Sequence, residues 1–452
     1  MSGATGKSSR WVPSWEQWLS RPGEWRNWGR TESARPNYTA RPSKIEDVCQ
    51  VVQRAVERDG AVKALGAGHS FTGIARPRDV ALSLEHMRGL VAVDASARRV
   101  TLRAGTFLHE IPALLEPHGL AMPNLGDIDR QTLAGAISTG THGTGTAFGG
   151  IATQVVGATL VDGTGQVRVV SEDDPHLRGV AVGLGALGVL VEVTLQCVEA
   201  FVLEAVESPA PLDEVIDGYL DRVGAADHYE FYWFPGTSVA LTKTNTRLPA
   251  SASTSPLTDV RRFVDDRVVS NEALRAMCEI GRAAPSLTPK LISLATSLTG
   301  DRRFSDVSTG VFTTRRTVRF RESEWAVPLD RTMEAFAAVR SLVESRDWNI
   351  TFPIEVRAAA ADDLWLSTAS GRESGYIAVH RYYRDEDTEY FREVEKVMLS
   401  FGGRPHWGKM HTRSADFFTS EYPRFGEFLE LRDTFDPHRV FANDYLDRVL
   451  GV

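Results

Sequence analysis

A tight glycine turn near the start of the chain places the strongest constraint on its fold. The apolar run 61–65 predicts a strand, which leads directly into Gly66-Ala67-Gly68-His69-Ser70-Phe71. Because glycine has no Cβ, backbone N–H groups in such a turn can approach a phosphate closely. Phe71 occupies the position where a dinucleotide fingerprint needs a third glycine. An ordinary turn with a surface histidine shows the same local pattern, so the interpretation depends on segments farther along.

A second glycine-rich stretch supports a phosphate cradle. Residues 123–128 read PNLGDI, and residues 132–145 read TLAGAISTGTHGTG. Their amides and hydroxyls can surround a pyrophosphate, whereas such small polar residues rarely stabilise a core. A long flexible loop is the alternative, but Ala134 and Ile137 argue for an ordered, packed segment. Together the two stretches favour a flavin site, with His69 placed to meet the rest of the cofactor or to bond to it covalently.

A third glycine-rich segment, residues 183–188, satisfies the GxGxxG pattern as GLGALG. The dinucleotide fingerprint needs a strand before it and a helix after it, so that the helix N-terminus receives the phosphates. Residues 189–195, VLVEVTL, predict a strand instead. A nicotinamide-binding Rossmann unit is therefore not expected.

Composition excludes several classes of function. The 452-residue chain carries a net charge of −8, which argues against a general nucleic-acid binder. Its three cysteines are far apart and form no CxxC, so neither a zinc ribbon nor a disulfide framework is expected. No apolar run approaches the ~18 residues of a membrane span, and residues 1–15 contain no apolar signal core. We expect a cytoplasmic protein without a transmembrane segment, with peripheral membrane contact as an alternative.

The pattern of elements predicts an α+β protein in two parts. In the first part, Ser43 and Glu46 predict a capping box at the start of a helix that Gly60 ends. A second helix is predicted over 107–116, with Thr106 as its N-cap. After residue 204 the pattern changes to an aromatic strand at 228–235 and a mostly helical stretch at 261–298. The remaining predicted elements are strands at 311–320, 348–358 and 376–383 and a helix near 425–431.

Two later segments bring together side chains that could carry chemistry. In Phe352-Pro353-Ile354-Glu355-Val356-Arg357, Glu355 and Arg357 share one face of a predicted strand. Such a pair is usually a weak surface contact, but this strand is apolar on its other face and can line a pocket. Residues 405–409, PHWGK, combine a histidine, an aromatic ring and a lysine. His406 and His411 lack the spacing of a known metal site, so no metal is expected, and no GxSxG elbow indicates a hydrolase.

Six segments together resemble the sugar-1,4-lactone branch of the vanillyl-alcohol-oxidase flavoprotein family. They are GxGHSF, TxxGAISTGTHGTG, GLGALGVLVEVTL, HYEFYWFP, FPIEVR and HWGK, and they occur in the family's order over nearly the whole chain. The resemblance implies a two-lobed FAD-binding domain of the PCMH type at residues 1–204. It implies an α+β substrate (cap) domain at residues 205–452, with a C-terminal active-site segment.

The resemblance also implies FAD as the cofactor. His69 matches the histidine that many members link covalently to the flavin, a bond that other members lack. The other positions that match FAD-contacting segments of the family are Gly66, Ala67, Gly68, Ser70, Phe71, Gly126, Asp127, Thr132, Gly135, Ala136, Ile137, Ser138, Thr141, His142, Gly143, Val189 and His406.

The family's active-site residues match Glu355, Arg357 and Lys409, and each has a chemical reason to be there. A cation beside the substrate hydroxyl lowers its pKa and stabilises the developing alkoxide, a role that suits the fixed fork of Arg357. Lys409 would offset negative charge on the flavin or on the substrate oxygen. Glu355 would bind a substrate hydroxyl and hold Arg357 in place. His380 is a further candidate for the same pocket.

The resemblance implies oxidation of an aldono-1,4-lactone, such as L-gulono-, L-galactono- or D-arabinono-1,4-lactone, at the carbon next to the carbonyl. An alditol oxidase is the main alternative. A lipid-linked pentose oxidase fits less well because of His69, and a flavin-binding protein without turnover fits less well because of Arg357 and its neighbours. The electron acceptor is oxygen or a cytochrome- or quinone-type partner. The small Gly126 favours oxygen, since an alanine at the matching position obstructs it in the family.

Overall fold

Helices and strands both occur throughout the chain, with several runs of consecutive strands, as in an α+β protein. The structure is a computed structural model that describes residues 19–20, 23–258, 271–297, 300–314 and 316–452. Its strands are β1 (Leu19–Ser20), β2 (Trp25–Arg26), β3 (Ser33–Ala34), β4 (Tyr38–Ala40), β5 (Val62–Leu65), β6 (Val80–Ser83), β7 (Leu90–Asp94), β8 (Arg99–Arg103), β9 (Leu120–Ala121), β10 (Val155–Val161), β11 (Val167–Ser171), β12 (Val189–Gln196), β13 (Val198–Glu199), β14 (Phe201–Pro211), β15 (His228–Trp233), β16 (Val239–Pro249), β17 (Arg302–Val307), β18 (Phe320–Pro328), β19 (Ile354–Ala359), β20 (Ser374–Tyr382) and β21 (Arg404–Pro405).

The α-helices vary from single turns to more than three turns. They are α1 (Ile45–Val56), α2 (Ile111–Leu115), α3 (Leu133–Ser138), α4 (Leu177–Val180), α5 (Leu212–Asp217), α6 (Tyr219–Ala225), α7 (Leu274–Ala283), α8 (Thr288–Ser297), α9 (Ser308–Phe312), α10 (Thr332–Glu344), α11 (Thr388–Ser400), α12 (Ala415–Glu421), α13 (Phe425–Phe435) and α14 (Asp444–Leu450). Within the ranges that the structure describes, no helix is long and apolar enough to cross a bilayer.

Three sheets organise these elements. A four-stranded sheet has the order β1-β4-β6-β5, with β6 parallel to both β4 and β5. A five-stranded antiparallel sheet follows, in the order β11-β10-β12-β8-β7. The third sheet is antiparallel and has eight strands, in the order β17-β14-β16-β15-β19-β20-β18-β21. Two small lobes therefore precede one large sheet, which confirms the predicted α+β class.

Helix α1 shows how the first lobe is closed. Val48 and Val52 are fully buried in the N-terminal core, on the face that the apolar spacing predicts. At its start, the Asp47 carboxylate accepts hydrogen bonds from the backbone N–H of Ser43 at 3.0 Å and of Lys44 at 3.3 Å. The predicted capping role of Glu46 is thus wrong by one residue, because the N-cap is Lys44 and not Ser43.

Other predicted elements also differ from those observed. The helix predicted over 107–116 contains one α-helical turn, α2, between two 3₁₀ turns, and Phe107 rather than Thr106 precedes it. The strand predicted over 311–320 is wrong, since Val311 and Phe312 end helix α9 and are buried there. Of the helical stretch predicted over 261–298, residues 261–270 and 298 lie outside the described residues, and α7 and α8 occupy most of the rest.

The eight-stranded sheet has two chemically different faces. On one face, alternate residues of the central strands, such as Phe231, Val356 and Ile377, are fully buried. They pack in one core with Phe336 of α10, whose ring centroid lies 5.4 Å from that of Phe231. Because side chains alternate along a strand, the intervening residues point to the opposite face. That second face carries the polar side chains described below.

The end of the chain returns to the first lobe. Phe418 of α12, Phe428 of α13 and Leu446 of α14 are fully buried in the same core as Val48 of α1. In addition, the Val62 N–H donates to the Val440 carbonyl at 2.8 Å, beside the start of β5. Residues 407–450 therefore connect the large sheet to the N-terminal lobe, which places the PHWGK segment at the junction.

Candidate functional site

A cavity in the N-terminal half brings together three glycine-rich segments. The turn 66–70, residues of helix α3 and the GxGxxG segment 183–188 all line it. As predicted, that segment leads into strand β12 rather than into a helix, so no Rossmann unit forms. The predicted cofactor residues on the cavity wall are Gly66, Ala67, Gly68, His69, Ser70, Thr132, Gly135 and Ser138.

The glycines of the first turn are required by close approach and by backbone conformation. A Cβ at Gly66 would lie 2.7 Å from the Thr132 hydroxyl oxygen. Gly68 has a φ of +69°, in the left-handed region that favours glycine. The Thr132 hydroxyl caps helix α3 by accepting the Gly135 N–H at 3.2 Å. Backbone groups can therefore reach a phosphate here without side-chain interference, and the cradle fits FAD.

His69 lies at the exit of this turn in a partly buried, aromatic setting. Its ring is stacked on Trp28 with centroids 5.5 Å apart. Burial, and then the charge of Lys409, lower the pKa of His69 to about 4. At neutral pH the imidazole is therefore uncharged and keeps a free lone pair, which is the form that can act as a nucleophile.

Four predicted cofactor residues lie in the core rather than on the cavity wall. Ala136 and Ile137 occupy the buried side of helix α3, and Val189 is fully buried at the start of β12. The Phe71 ring packs 5.8 Å from that of Phe320 in a separate aromatic cluster. None of these four residues lines the cavity, although each is next in sequence to a residue that does.

Another group of predicted cofactor residues lies between the cavity and the large sheet. Asp127 forms an ion pair with Arg316 at 2.9 Å, and the Thr141 hydroxyl bonds the Gln131 amide at 3.0 Å. A Cβ at Gly126 would lie 3.0 Å from the His142 carbonyl oxygen. At Gly143, a Cβ would lie only 2.2 Å from the Leu125 carbonyl oxygen, so this position requires glycine.

The polar face of the large sheet lies next to this group of residues. The strand register places Glu355 of β19 opposite Tyr232 of β15 on one side and Ala378 of β20 on the other. Ala378 in turn lies opposite Glu324 of β18. Small Ala378 leaves space between the two glutamates, and that space is filled by Arg357.

Arg357 is held by two carboxylates. Its Nη2 donates to Glu324 Oε1 at 2.7 Å, and its Nε lies 3.3 Å from Glu355 Oε1. Burial alone would lower the pKa of Arg357, but Glu355 and Glu324 raise it well above its usual range. Burial alone would raise the pKa of Glu324, but Arg357 and then His142 hold it well below its usual range. The guanidinium is therefore a permanently charged group in a fixed orientation.

Lys409 and His380 meet a third carboxylate, Glu322, at the edge of the same face. The Lys409 ammonium bonds Glu322 Oε2, and His380 Nε2 lies 3.7 Å from Glu322 Oε1. The other His380 ring nitrogen contacts the Pro353 carbonyl at 3.0 Å. The predicted active-site residues Glu355, Arg357, Lys409 and His380 thus share one sheet face, with Glu322 and Glu324 between them.

The PHWGK segment joins this face to the cofactor cavity. The Phe71 N–H donates to the Gly408 carbonyl at 2.6 Å, and the Lys409 ammonium lies 5.4 Å from the centre of the Phe71 ring. His406 accepts the Gly408 N–H at Nδ1, which leaves the proton of a neutral ring on Nε2. Burial lowers the pKa of His406 to about 3, so it stays neutral.

One cluster has the composition of a metal site. Ligand atoms of His142, Glu324 and His406 all lie within 4.8 Å of one another. However, Glu324 already pairs with Arg357 at 2.7 Å and with His142 Nε2 at 3.3 Å. A divalent cation would therefore lie beside a guanidinium, which Coulomb repulsion disfavours. That no metal is needed stays a prediction.

Sequence reasoning missed several of these residues. Glu322 and Glu324 occupy alternate positions of the segment FRESEW, which was the available signal, but no strand was predicted directly after residue 320, where β18 begins. Residues 183–188 were set aside as a false fingerprint, although they line the cavity. Tyr232, on the predicted aromatic strand, contacts Glu355 Oε1 at 3.1 Å and had no assigned role.

Comparison with protein families covers most of the chain. The family model described as D-arabinono-1,4-lactone oxidase matches residues 193–449. The model described as FAD binding domain matches residues 36–171.

Similar curated proteins match almost end to end. L-gulono-1,4-lactone dehydrogenase of Mycobacterium tuberculosis is 39% identical over 427 residues, which are 94% of this chain and 99% of that protein. L-gulonolactone oxidase of Bos taurus is 31% identical over 437 residues, 94% of this chain and 98% of that protein. Alditol oxidase of a Streptomyces species is 29% identical over 440 residues, which are 94% of this chain and 98% of that protein.

The fold also matches a solved structure. Cholesterol oxidase from B. sterolicum superposes with a TM-score of 0.83 at 18% sequence identity, covering 97% of this chain and 99% of that one. At this identity the match shows the shared two-lobed FAD-binding fold and its large sheet domain. Taken with the matches above, the chain belongs to the D-arabinono-1,4-lactone oxidase family of FAD-dependent oxidoreductases.

Proposed function

We propose that this protein oxidises an aldono-1,4-lactone, such as L-gulono-, L-galactono- or D-arabinono-1,4-lactone, at the carbon next to the carbonyl. The observation that carries the proposal is the position of Arg357, fixed by Glu324 and Glu355 on the sheet face that PHWGK joins to the His69 turn. The names of the relatives in Mycobacterium tuberculosis and Bos taurus support the same substrate class.

Each residue of the sheet face has a distinct task in such a reaction. Bound FAD supplies the two-electron oxidation by accepting a hydride from the substrate carbon. Arg357 orients the reacting hydroxyl and stabilises negative charge as it develops on that oxygen. Glu355, which lies 3.3 Å from Arg357 Nε, accepts hydrogen bonds from the substrate and is placed to take the hydroxyl proton. Lys409 contributes positive charge at the edge nearest the cavity, with His380 beside it.

His69 is the residue that would carry a covalent flavin link. Its neutral imidazole has a free nitrogen lone pair, and Trp28 fixes the plane of the ring. His69 lines the cavity directly after the glycine turn that would hold the cofactor phosphates, which supports this role. We include this link in the proposal.

Oxygen is the electron acceptor that Gly126 favours. The position has no side chain, and a Cβ there would press on the His142 carbonyl oxygen, beside the Arg357 cluster. A cytochrome- or quinone-type acceptor is the alternative, since one relative is named a dehydrogenase and another an oxidase.

A second candidate substrate is an open-chain alditol of the xylitol or sorbitol type, oxidised at its terminal hydroxyl. The alditol oxidase of Streptomyces, which matches over 94% of this chain, favours it. The same Arg357 and Lys409 would bind a polyol hydroxyl, so the two substrates differ mainly in how the ring or open chain fits the pocket.

A substrate screen decides between these proposals. The purified protein would be assayed with the three lactones and with xylitol and sorbitol, using dye reduction, oxygen consumption and cytochrome c reduction in parallel. We expect kcat/KM to be highest for a lactone. A higher value for a polyol would favour the alditol oxidase, and no turnover of either class would refute both.

The division of the chain and its location are further parts of the proposal. We place the FAD-binding domain at residues 1–204 and the substrate domain at 205–452, with residues 407–450 packed on the first core. Limited proteolysis tests the boundary. A cytoplasmic location, with or without peripheral membrane contact, is tested by cell fractionation.

A further inference from the structure

A tyrosine hydroxyl lies between two carboxylates on the polar face of the large sheet. Tyr232 Oη lies 3.2 Å from Glu230 Oε1 and 3.1 Å from Glu355 Oε1. Tyr232 and Glu230 alternate on β15, and Glu355 lies opposite Tyr232 on β19, so all three side chains share the face that holds Arg357. Both distances are hydrogen-bonding distances.

If both carboxylates are ionised, the one tyrosine proton can fully satisfy only one of the two contacts. A phenol has one proton to donate, and an ionised carboxylate can only accept. One contact can therefore be Tyr232 donating to a carboxylate. The other requires a carboxylic acid that donates to the tyrosine oxygen, or it leaves two oxygen lone pairs facing each other in a buried place.

The surroundings indicate which carboxyl group holds the extra proton. Glu355 lies 3.3 Å from Arg357 Nε, in contact with a permanent charge. Glu230 lies 3.5 Å from Lys243 Nζ, a longer contact, and the Lys243 ammonium also donates to the Val311 carbonyl. The ionised form of Glu230 is thus the less well stabilised of the two.

The remaining charges act in the same direction. Burial raises the pKa of Glu230; Lys243 opposes this, Glu355 adds to it, and the net direction is upward. Arg357 lowers that pKa and Asp127 raises it, by smaller amounts. Asp127 is itself paired with Arg316 at 2.9 Å.

We propose that Glu230 is a neutral carboxylic acid in the resting protein and that it positions the catalytic Glu355 through Tyr232. Glu230 donates to the Tyr232 oxygen, which directs the single tyrosine proton to Glu355. The donated hydrogen bond favours the ionised form of Glu355 and fixes its orientation beside Arg357. Glu230 and Tyr232 are therefore positioning residues, and their kinetic role rests on the function proposed above for Glu355.

Infrared spectroscopy tests the protonation state without any substrate. The flavin-loaded protein, its Glu230→Gln variant and its Glu355→Gln variant would be compared near neutral pH in the carboxylic-acid C=O region. We expect wild type to show a band that Glu230→Gln removes and Glu355→Gln retains. A band lost only in Glu355→Gln, or no difference between wild type and Glu230→Gln, would overturn the proposal.

The pH dependence of flavin reduction by substrate tests the positioning role. Tyr232→Phe removes the hydrogen-bond donor to Glu355, so the fall in the rate of flavin reduction at low pH, the low-pH limb, should begin at higher pH than in wild type. Glu230→Gln keeps a neutral donor to the tyrosine oxygen and should leave that limb in place. Tyr229→Phe, on the opposite face of β15, is the matched control.

The alternative arrangement predicts a different result. If Glu230 were an anion, Glu230→Gln would remove a negative charge near Glu355, and the limb would move to lower pH. That shift, or an unmoved limb in Tyr232→Phe, would overturn the positioning role. Failure of the substrate assay itself would refute the proposed function, while the infrared result would still decide where the proton lies.

Discussion

The cofactor cavity and the polar face of the large sheet use opposite means of recognition. The cavity wall is rich in glycine, at positions 66, 68, 105, 135, 183, 185 and 188. The sheet face is lined by buried charged side chains, with Arg357 between Glu324 and Glu355 and Lys409 on Glu322. A glycine-rich cradle lets backbone N–H groups approach the phosphates of a fixed cofactor without side-chain interference. A charged face can stabilise a changing charge, but each buried group must be matched.

The two regions also differ in how they are built from the sequence. Three short segments, 63–70, 131–139 and 183–188, supply most of the residues that line the cavity. The sheet face takes its groups from strands β15, β18, β19 and β20 and from the PHWGK segment, which are up to 180 residues apart. Substitutions should therefore separate cofactor retention from turnover.

Removing the guanidinium of Arg357 should have the largest effect. It should reduce turnover without reducing the amount of bound flavin. Arg357→Ala deletes the group that stabilises the developing alkoxide, so kcat should fall by about 10³. The flavin-to-protein absorbance ratio should hold, because Arg357 does not line the cavity. Arg331→Ala, at an exposed guanidinium, is the control.

Two results would contradict this prediction. Near-normal turnover in Arg357→Ala would remove Arg357 from the reaction. Because the deletion leaves buried Glu324 without its closest partner, Arg357→Lys is a second variant that keeps the charge. Lysine lacks the fixed fork, so it should restore flavin content and stability more fully than kcat.

The cavity is tested at His69. In acid-precipitated wild-type protein the yellow colour should stay in the pellet, and in His69→Ala it should pass to the supernatant, because the attachment atom is missing. His86→Ala, an exposed histidine, should behave as wild type. Colour released from wild type would show that the neutral His69 imidazole forms no bond to the flavin.

Gly126 lies between the cofactor cavity and the polar face of the large sheet. A substitution there therefore tests access of oxygen between the two regions. In Gly126→Ala the new Cβ would lie 3.0 Å from the His142 carbonyl oxygen, so less space would remain there for oxygen to reach the flavin. Reoxidation by oxygen should slow by about tenfold, while reduction of dyes or cytochrome c should be unchanged. Gly224→Ala, where a Cβ meets no atom within 4 Å, is the control. Equal oxygen rates in wild type and variant would refute the gating role.

The smallest expected effect concerns Lys63, a buried lysine on the cavity wall. Lys63 donates to the Phe441 carbonyl at 3.0 Å, and burial lowers its pKa from 10.5 to about 7. Between these values the unfolded chain binds more protons, so the contribution of Lys63 to stability rises with pH, by at most about 1.4 kcal/mol per unit.

The measurement is urea unfolding at pH 7 and pH 9. In Lys63→Met the free energy of unfolding should rise less between the two pH values than it does in wild type. Lys44→Met, at an exposed lysine, should rise as wild type does. An identical rise in Lys63→Met would mean that Lys63 is charged in the folded protein over this range.

The sequence by itself determined the α+β class, the flavin cavity and half of the charged face. The Gly66-x-Gly68 turn could be seen in a short stretch, because the positive φ of Gly68 is a local property, although the close approach that excludes a Cβ at Gly66 comes from distant Thr132. Glu355 and Arg357 were visible for the same reason, since two residues on one strand share a face whatever the sheet order is.

Only the tertiary structure decided which partners those residues meet. Strand pairing placed Glu324 opposite Ala378 and Tyr232 opposite Glu355, and no local pattern encodes such a register. Val311 and Phe312, which were predicted to begin a strand, instead form the buried end of helix α9. The periodicity of a segment shows which of its own apolar side chains can be buried together. The charges around Arg357 depend instead on which distant segments pack beside it.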